Sequence, residues 1–205
     1  MTAERIGFYG GTFDPPHKGH AAAAAAFAAA VRPDRLYIIP NALPPLKDGR
    51  VPAPPADRLA MAALAFPGWT VCDYEIRSGG VSYTCKTVEH LRELHPGGAL
   101  YMLVGTDQLM QLERWRRPES LLRAVVVCVA LRRGGEESRA AAKAEALRRA
   151  FGADVRFVPY EPVEVSSTEV RAALAQGRPH PLLGRAARRR DYGRGAGEFL
   201  QSGVY

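Results

Sequence analysis

The chain is poor in cysteine. Cys72, Cys85 and Cys128 are odd in number, widely spaced and free of any C-x-x-C pair. That pattern argues against a disulfide frame and against a structural zinc site. Long apolar runs are also missing. The longest, Ala21 to Val31, is far short of the ~20 residues a bilayer span needs. The opening Met1-Thr2-Ala3-Glu4-Arg5 has no apolar h-region, so the expectation is a cytoplasmic protein. No internal repeat and no G-K-[ST] of a phosphate loop occur. What is present is ordinary for one globular domain: 205 residues, 47% apolar and 24% charged.

Charge is the remaining global signal. The chain carries 28 basic and 21 acidic residues, a net +7. From Arg171 to Tyr205 there are seven arginines and no lysine against Asp191 and Glu198, so +5 of the +7 lies there. The preceding body is nearly neutral. A basic tail permits an anionic partner without naming one.

Short apolar runs alternate with helical stretches. Strands are expected at Arg5–Tyr9, Leu36–Ile39, Thr70–Cys72, Leu100–Val104, Ala124–Leu131 and Val155–Val158. Helices are expected at Gly19–Val31, Asp57–Ala65, Thr84–Leu94, Ser138–Ala150 and Glu169–Ala175. Nine of residues 21 to 30 are alanine, the strongest helix former. Asn41 to Pro55 holds five prolines and reads as a loop. Strands separated by helices of ~10–15 residues predict βαβ units. The expected fold is a Rossmann-like α/β domain over residues 1–177. Its open, mostly parallel sheet has about five or six strands, with helices on both faces. Residues 178–205 are expected as a basic helical tail packed on that domain.

In open α/β sheets, ligands bind outside the carboxyl ends of strands. The first such end reads Gly10-Gly11-Thr12-Phe13-Asp14-Pro15-Pro16-His17-Lys18-Gly19-His20. Two glycines let backbone approach a ligand. The following helix start offers N–H groups and a positive dipole end to phosphate. His17 and His20 share a helix face there. Near the other end stands Val165-Ser166-Ser167-Thr168-Glu169-Val170-Arg171, a run of N-cap residue types with an arginine one turn in.

These two strings resemble the H-x-G-H and I-S-S-T-x-x-R signatures of the nucleotidyltransferase superfamily, in the form of the nicotinate-nucleotide adenylyltransferases. The resemblance runs in order over roughly residues 5 to 176. It implies attack by a mononucleotide 5′-phosphate on the α-phosphate of ATP, with Mg²⁺ carried on the ATP. His17, His20 and Arg171 are the implied catalytic residues. Gly10, Gly11, Thr12, Phe13, Gly105, Ser166, Ser167 and Thr168 are the implied ATP-binding residues. Pro40-Asn41-Ala42-Leu43-Pro44-Pro45-Leu46-Lys47 resembles the family loop P-N-x-x-P-P-H-K, with Leu46 in place of histidine and Lys47 kept. Ser82-Tyr83-Thr84 resembles S-Y-T, whose backbone amides receive the nicotinate carboxylate. Gly105-Thr106-Asp107 resembles G-x-D, with Asp107 for the ribose. Trp115 matches the tryptophan that stacks on the pyridine ring. Lys47, Ser82, Tyr83, Thr84, Asp107 and Trp115 are thus the implied mononucleotide residues. Arg132-Arg133-Gly134-Gly135 resembles an R-P-G turn, and Ser202-Gly203-Val204-Tyr205 echoes the family ending N-G-L-Y. No metal-ligating protein residue is implied. Trp69, His90, His95 and His180 read as packing or surface residues.

The implied partners are ATP and nicotinate mononucleotide. No membrane partner is expected, nucleic acid is not the favoured partner, and a homo-oligomer stays open. An adenylyltransferase for another phosphate monoester, such as nicotinamide mononucleotide or phosphopantetheine, is the nearest alternative. A nucleotide-sensing or nucleic-acid-binding module built on the arginine tail is the alternative of a different class. Its mark would be affinity that falls steeply with salt.

Overall fold

The computed structural model describes residues 3–44, 51–131 and 135–178. Lys47 and Leu46, the turn at Arg132–Gly134 and the expected tail helix lie outside the described residues.

Six strands form one parallel sheet: β1 (Arg5–Gly11), β2 (Arg35–Pro40), β3 (Thr70–Val71), β4 (Ala99–Gly105), β5 (Val126–Leu131) and β6 (Asp154–Pro159). Their spatial order is β3-β2-β1-β4-β5-β6. The chain starts in the middle, builds outward to one edge, then returns to build the other. The reversal falls between β1 and β4, which makes their carboxyl ends the topological switch point where such sheets bind ligands.

Alternation along the strands feeds two faces. Ile6 and Phe8 of β1, Leu100 and Met102 of β4, and Val127 and Val129 of β5 enter one buried cluster. Helices α4 (Thr84–Leu94), α6 (Pro118–Ala124) and α7 (Glu137–Phe151) add Val88, Leu91, Leu121, Leu122, Ala144 and Leu147 to it. Leu103, Cys128 and Ala130 point the other way, toward Ala23, Phe27 and Val31 of α1 (Lys18–Val31). Helix α2 (Pro55–Ala65) covers the neighbouring part through Ala62, against Ile38 and Phe13. The alanine run is thus a packed helix. Its small side chains let α1 lie close to the sheet. At Gly7 a Cβ would stand 2.7 Å from the Phe27 ring, so a larger residue would push the helix off β1.

Cys128 shows how dry this interior is: burial pushes its thiol up to about 12. Among the described residues, no helix is long and apolar enough to cross a membrane.

The α/β reading and the helices on both faces are seen, and the sheet is wholly parallel. Boundaries differ. Ala124 was expected to open a strand, but it closes α6. Pro118 begins that helix at a position where its missing N–H costs nothing. Strand β5 starts only at Val126. Helix α3 (Tyr74–Ser78), helix α5 (Thr106–Leu109) and a 3-10 turn (Leu112–Arg114) were not read from the sequence. They are too short to show a helical period. Helix α8 (Ser167–Ala175) closes the described chain but for its last three residues.

Candidate active site

The loop from β1 to α1 carries the two histidines. His17 is the N-cap of α1 and is buried. Its Nδ1 accepts the backbone N–H of His20 at 3.4 Å, and Nδ1 of His20 accepts the backbone N–H of His17 at 3.2 Å. The rings stack with centroids 3.7 Å apart. This reciprocal cap spends both Nδ1 atoms as acceptors. In the neutral rings the proton therefore sits on Nε2, which becomes a donor on each ring. Glycine between them relieves crowding. A Cβ at Gly19 would meet His17 Nδ1 at 3.0 Å and the Val163 carbonyl at 3.2 Å. No acidic residue occupies the first turn of α1, so its positive end is not compensated there.

The second motif is joined to this loop across the whole chain. Ser167 Oγ donates to the Pro15 carbonyl at 3.0 Å. Arg171 Nη1 donates to the Asp14 carbonyl, and its Nη2 to Thr168 Oγ1 at 3.0 Å. Ser166 is the N-cap of α8. Its Oγ accepts the Glu169 N–H at 3.1 Å, while the Glu169 carboxylate takes the Ser166 N–H at 2.7 Å. All three hydroxyls are therefore engaged: Ser167 Oγ, with Arg171, holds the two segments together, while Ser166 and Thr168 bond within α8. What α8 offers outward is its first backbone N–H groups and the Arg171 charge.

Arg58 was missed in the sequence. It sits on α2, 1% exposed, within a proline-rich surrounding that gave no hint of a buried cation. Its guanidinium donates to the carbonyls of Asn41 (2.7 Å), Thr12 (3.0 Å), Ala53 (3.0 Å) and Ala42 (3.3 Å). One side chain thus ties the β1–α1 loop to the chain leaving β2. Burial pulls the Arg58 guanidinium below its ordinary value, and the nearby Asp14 carboxylate pulls it back up. Asn41 adds a side-chain bond to Thr12 Oγ1 at 3.2 Å.

A cavity of about 800 Å³ opens over the ends of β1 and β4. That is within the range of small-molecule and cofactor sites. Gly10, Gly11, Thr12, Phe13 and His20 line it, and so do Ser167, Thr168 and Arg171 from the far end of the chain. Ser82, Tyr83, Thr84 and Trp115 line the same space. His17, Gly105, Ser166 and Asp107 are not on its wall. Gly105 is the N-cap of α5 and binds Gln108 Oε1 through its N–H at 3.0 Å. Asp107 is exposed, while Gln108 and Gln111 face the cavity.

The Ser82-Tyr83-Thr84 segment begins α4. The Ser82 N–H is already given to the Leu43 carbonyl at 2.9 Å, so this amide has an internal acceptor. Ser82 Oγ in turn accepts the Ala42 N–H at 2.9 Å. Tyr83, the N-cap, makes no side-chain cap bond. Among the described residues, no acceptor takes the N–H groups of Tyr83, Thr84 and Cys85 at the start of α4, and all three residues stand at the cavity wall. Glu75 stands on the same wall and accepts from Thr87 Oγ1 at 2.5 Å. Burial pushes its carboxyl above the ordinary value, and bonds from Thr87 and Ser82 act against that. Neither Glu75 nor Arg58 belongs to a recognisable motif.

The packing residues are placed as follows. His95 bonds Tyr37 at 2.9 Å and Glu4 at 3.1 Å, far from the cavity. His90 stacks on Tyr74, and Trp69 is partly buried against Phe27 and Phe66. Among the described residues, no group of three or more His, Cys, Asp or Glu stands close enough to hold a metal ion.

A parallel sheet with this switch point, a capped histidine pair and a second helix start at the same cavity is the arrangement of a nucleotidyl-transferring α/β protein. Residues 8–173 match the cytidylyltransferase-like family. A protein of Roseiflexus sp. (strain RS-1), named "Probable nicotinate-nucleotide adenylyltransferase", is 42% identical over 187 residues, covering 87% of this chain and 90% of that one. One of the same name from Shouchella clausii (strain KSM-K16) is 36% identical over 179 residues, 86% and 87% of the two chains. The Plasmodium falciparum nicotinic acid mononucleotide adenylyltransferase complexed with APC shares the fold at TM-score 0.67. It is 18% identical, with 88% of this chain and 92% of that one covered. The chain belongs to the nicotinate-nucleotide adenylyltransferase family, within the cytidylyltransferase-like group.

Proposed function

We propose that this chain transfers the adenylyl group of MgATP to the 5′-phosphate of nicotinate mononucleotide, releasing pyrophosphate and nicotinate adenine dinucleotide. The observation that carries the reading is the hydrogen-bonded union of the His17–His20 loop with α8 at the wall of one cavity. A phosphate oxygen of the mononucleotide forms the new bond to the α-phosphorus of ATP. The bond from that phosphorus to the oxygen bridging it to the β-phosphate breaks, and pyrophosphate leaves. No covalent nucleophile is required, because such transfer is mostly positioning and charge stabilisation.

In this reading the Nε2–H group of His20, on the cavity wall, meets the charge that grows on the α-phosphoryl oxygens, and buried His17 is given the same role on the family likeness alone. Arg171 and the first N–H groups of α8 hold the β- and γ-phosphates, with Gly10 to Phe13 giving the backbone close access. Mg²⁺ arrives on the ATP phosphates, a habit suited to an ion that keeps much of its water shell. The Thr84 and Cys85 amides receive the ring carboxylate, with Ser82 and Tyr83 shaping that helix start. Trp115 stacks on the pyridine. Asp107 is included for the ribose, and Lys47 for phosphate, on the family likeness alone. A cytoplasmic location and action on free nucleotides complete the reading.

His20→Ala tests the mechanism. Turnover is expected to fall at least ~100-fold, while the protein stays folded and loses only about 1 kcal/mol of stability with the cap bond. Near-normal turnover in this variant contradicts the assignment.

A further inference from the structure

The loop around Trp115 carries two cations that none of the roles above uses. Arg114 and Arg116 flank the tryptophan, and both line the cavity. Nearby arginines are neutralised on the surface: Arg117 pairs with Glu89 and Arg123 with Glu119. Among the described residues, no carboxylate pairs with Arg116. Its guanidinium instead lies over the Tyr83 ring, 4.6 Å from the centroid. The aromatic face holds it beside the start of α4, where the Thr84 and Cys85 amides stand.

The charge balance of this wall gives the position its meaning. Glu75 brings a carboxyl to the same cavity. An incoming ring carboxylate meets the negative potential of that group whenever Glu75 is ionised. Two helix-end amides carry only partial charges. A full positive charge beside them is what separates a ring carboxylate from a ring carboxamide, since the two substituents have nearly the same shape.

We propose that Arg116 is a specificity-determining residue: its guanidinium, seated on Tyr83, favours a pyridine mononucleotide bearing a ring carboxylate over one bearing a carboxamide. This rests on the activity proposed above. It adds a side-chain charge to a recognition otherwise made of backbone amides and a stacking ring.

The test compares kcat/KM for nicotinate and nicotinamide mononucleotide in the full-length wild-type, Arg116→Met and Arg116→Lys proteins. In Arg116→Met the acid is expected to lose about fivefold, the scale of an accessible charge pair. The loss should fall in KM with kcat little changed. The amide should stay within about twofold of wild type. Arg116→Lys should keep more of the acid preference than Arg116→Met. Raising ionic strength should weaken acid binding in wild type more than in Arg116→Met. An unchanged acid-to-amide ratio in Arg116→Met overturns the inference alone. Equal losses on both substrates do the same, and would make Arg116 a support for Tyr83 only. A wild-type protein that turns over neither mononucleotide overturns the activity, and the inference falls with it.

Discussion

The two parts of the cavity wall are built differently. Where the phosphates are proposed to bind, nearly every side chain has a partner within the protein. His17 and His20 cap one helix together, Ser167 and Arg171 bind the Asp14–Pro15 backbone, and Arg58 gathers four carbonyls beneath. Around Trp115 and the start of α4 the wall is open. Tyr83 leaves its helix uncapped, Trp115 is only partly buried, and Arg116 rests on an aromatic face. The first region is fixed before any ligand arrives, as electrostatic stabilisation of a transition state requires. The second keeps groups available for a ligand, as substrate selection requires. Substitutions in the first region should act on kcat or on folding, and those in the second on KM.

The sharpest way to break this contrast is Arg171→Ala. We expect a loss of about 100-fold or more in kcat, read by pyrophosphate release, with KM for the mononucleotide little altered. A change confined to KM would erase the distinction between the two regions. Arg58→Met should act on folding instead. It strands four carbonyls and is expected to cost about 3 kcal/mol or more in denaturant unfolding. A fully stable Arg58→Met protein would show that the loops hold without this clamp. Trp115→Ala should raise KM for the mononucleotide by about tenfold, with only a modest loss of stability from the edge of the core that the ring covers. A large loss of stability there would make Trp115 a core residue.

The smallest effect concerns Glu75. Burial raises its folded pKa above the unfolded value. Its stabilising contribution is therefore complete below the unfolded pKa and is lost as pH rises through the folded one. Wild type should lose stability relative to Glu75→Gln as pH climbs from about 4 into the neutral range. Unfolding curves of the two proteins across that range check the sign. A gain for wild type would mean that the Thr87 and Ser82 bonds outweigh burial.

The sequence was informative where a feature is local. Strand alternation, the alanine helix and the Gly10–His20 string each carry their meaning within a dozen residues. All six expected strands are present, with ends shifted by one or two residues and a false start at Ala124. The sequence was silent where meaning depends on distant partners. Nothing near Arg58 announces that its acceptors belong to Thr12 and Asn41. Nothing in Ser82 shows that its amide is taken by the Leu43 carbonyl, although the residue itself lines the cavity. Ser166 illustrates a third case. Its type fits both a cap and a phosphate contact, and the hydrogen bonds show it in the cap. Asp107, expected at the ribose, lies outside the cavity wall, and Gln108 of the same one-turn helix lines it instead.

The most direct measurement is product analysis of the full-length protein with MgATP and, separately, nicotinate and nicotinamide mononucleotide. The account predicts equimolar pyrophosphate and dinucleotide, with the acid used at higher kcat/KM than the amide. No pyrophosphate from either, or a preference for the amide, would contradict it.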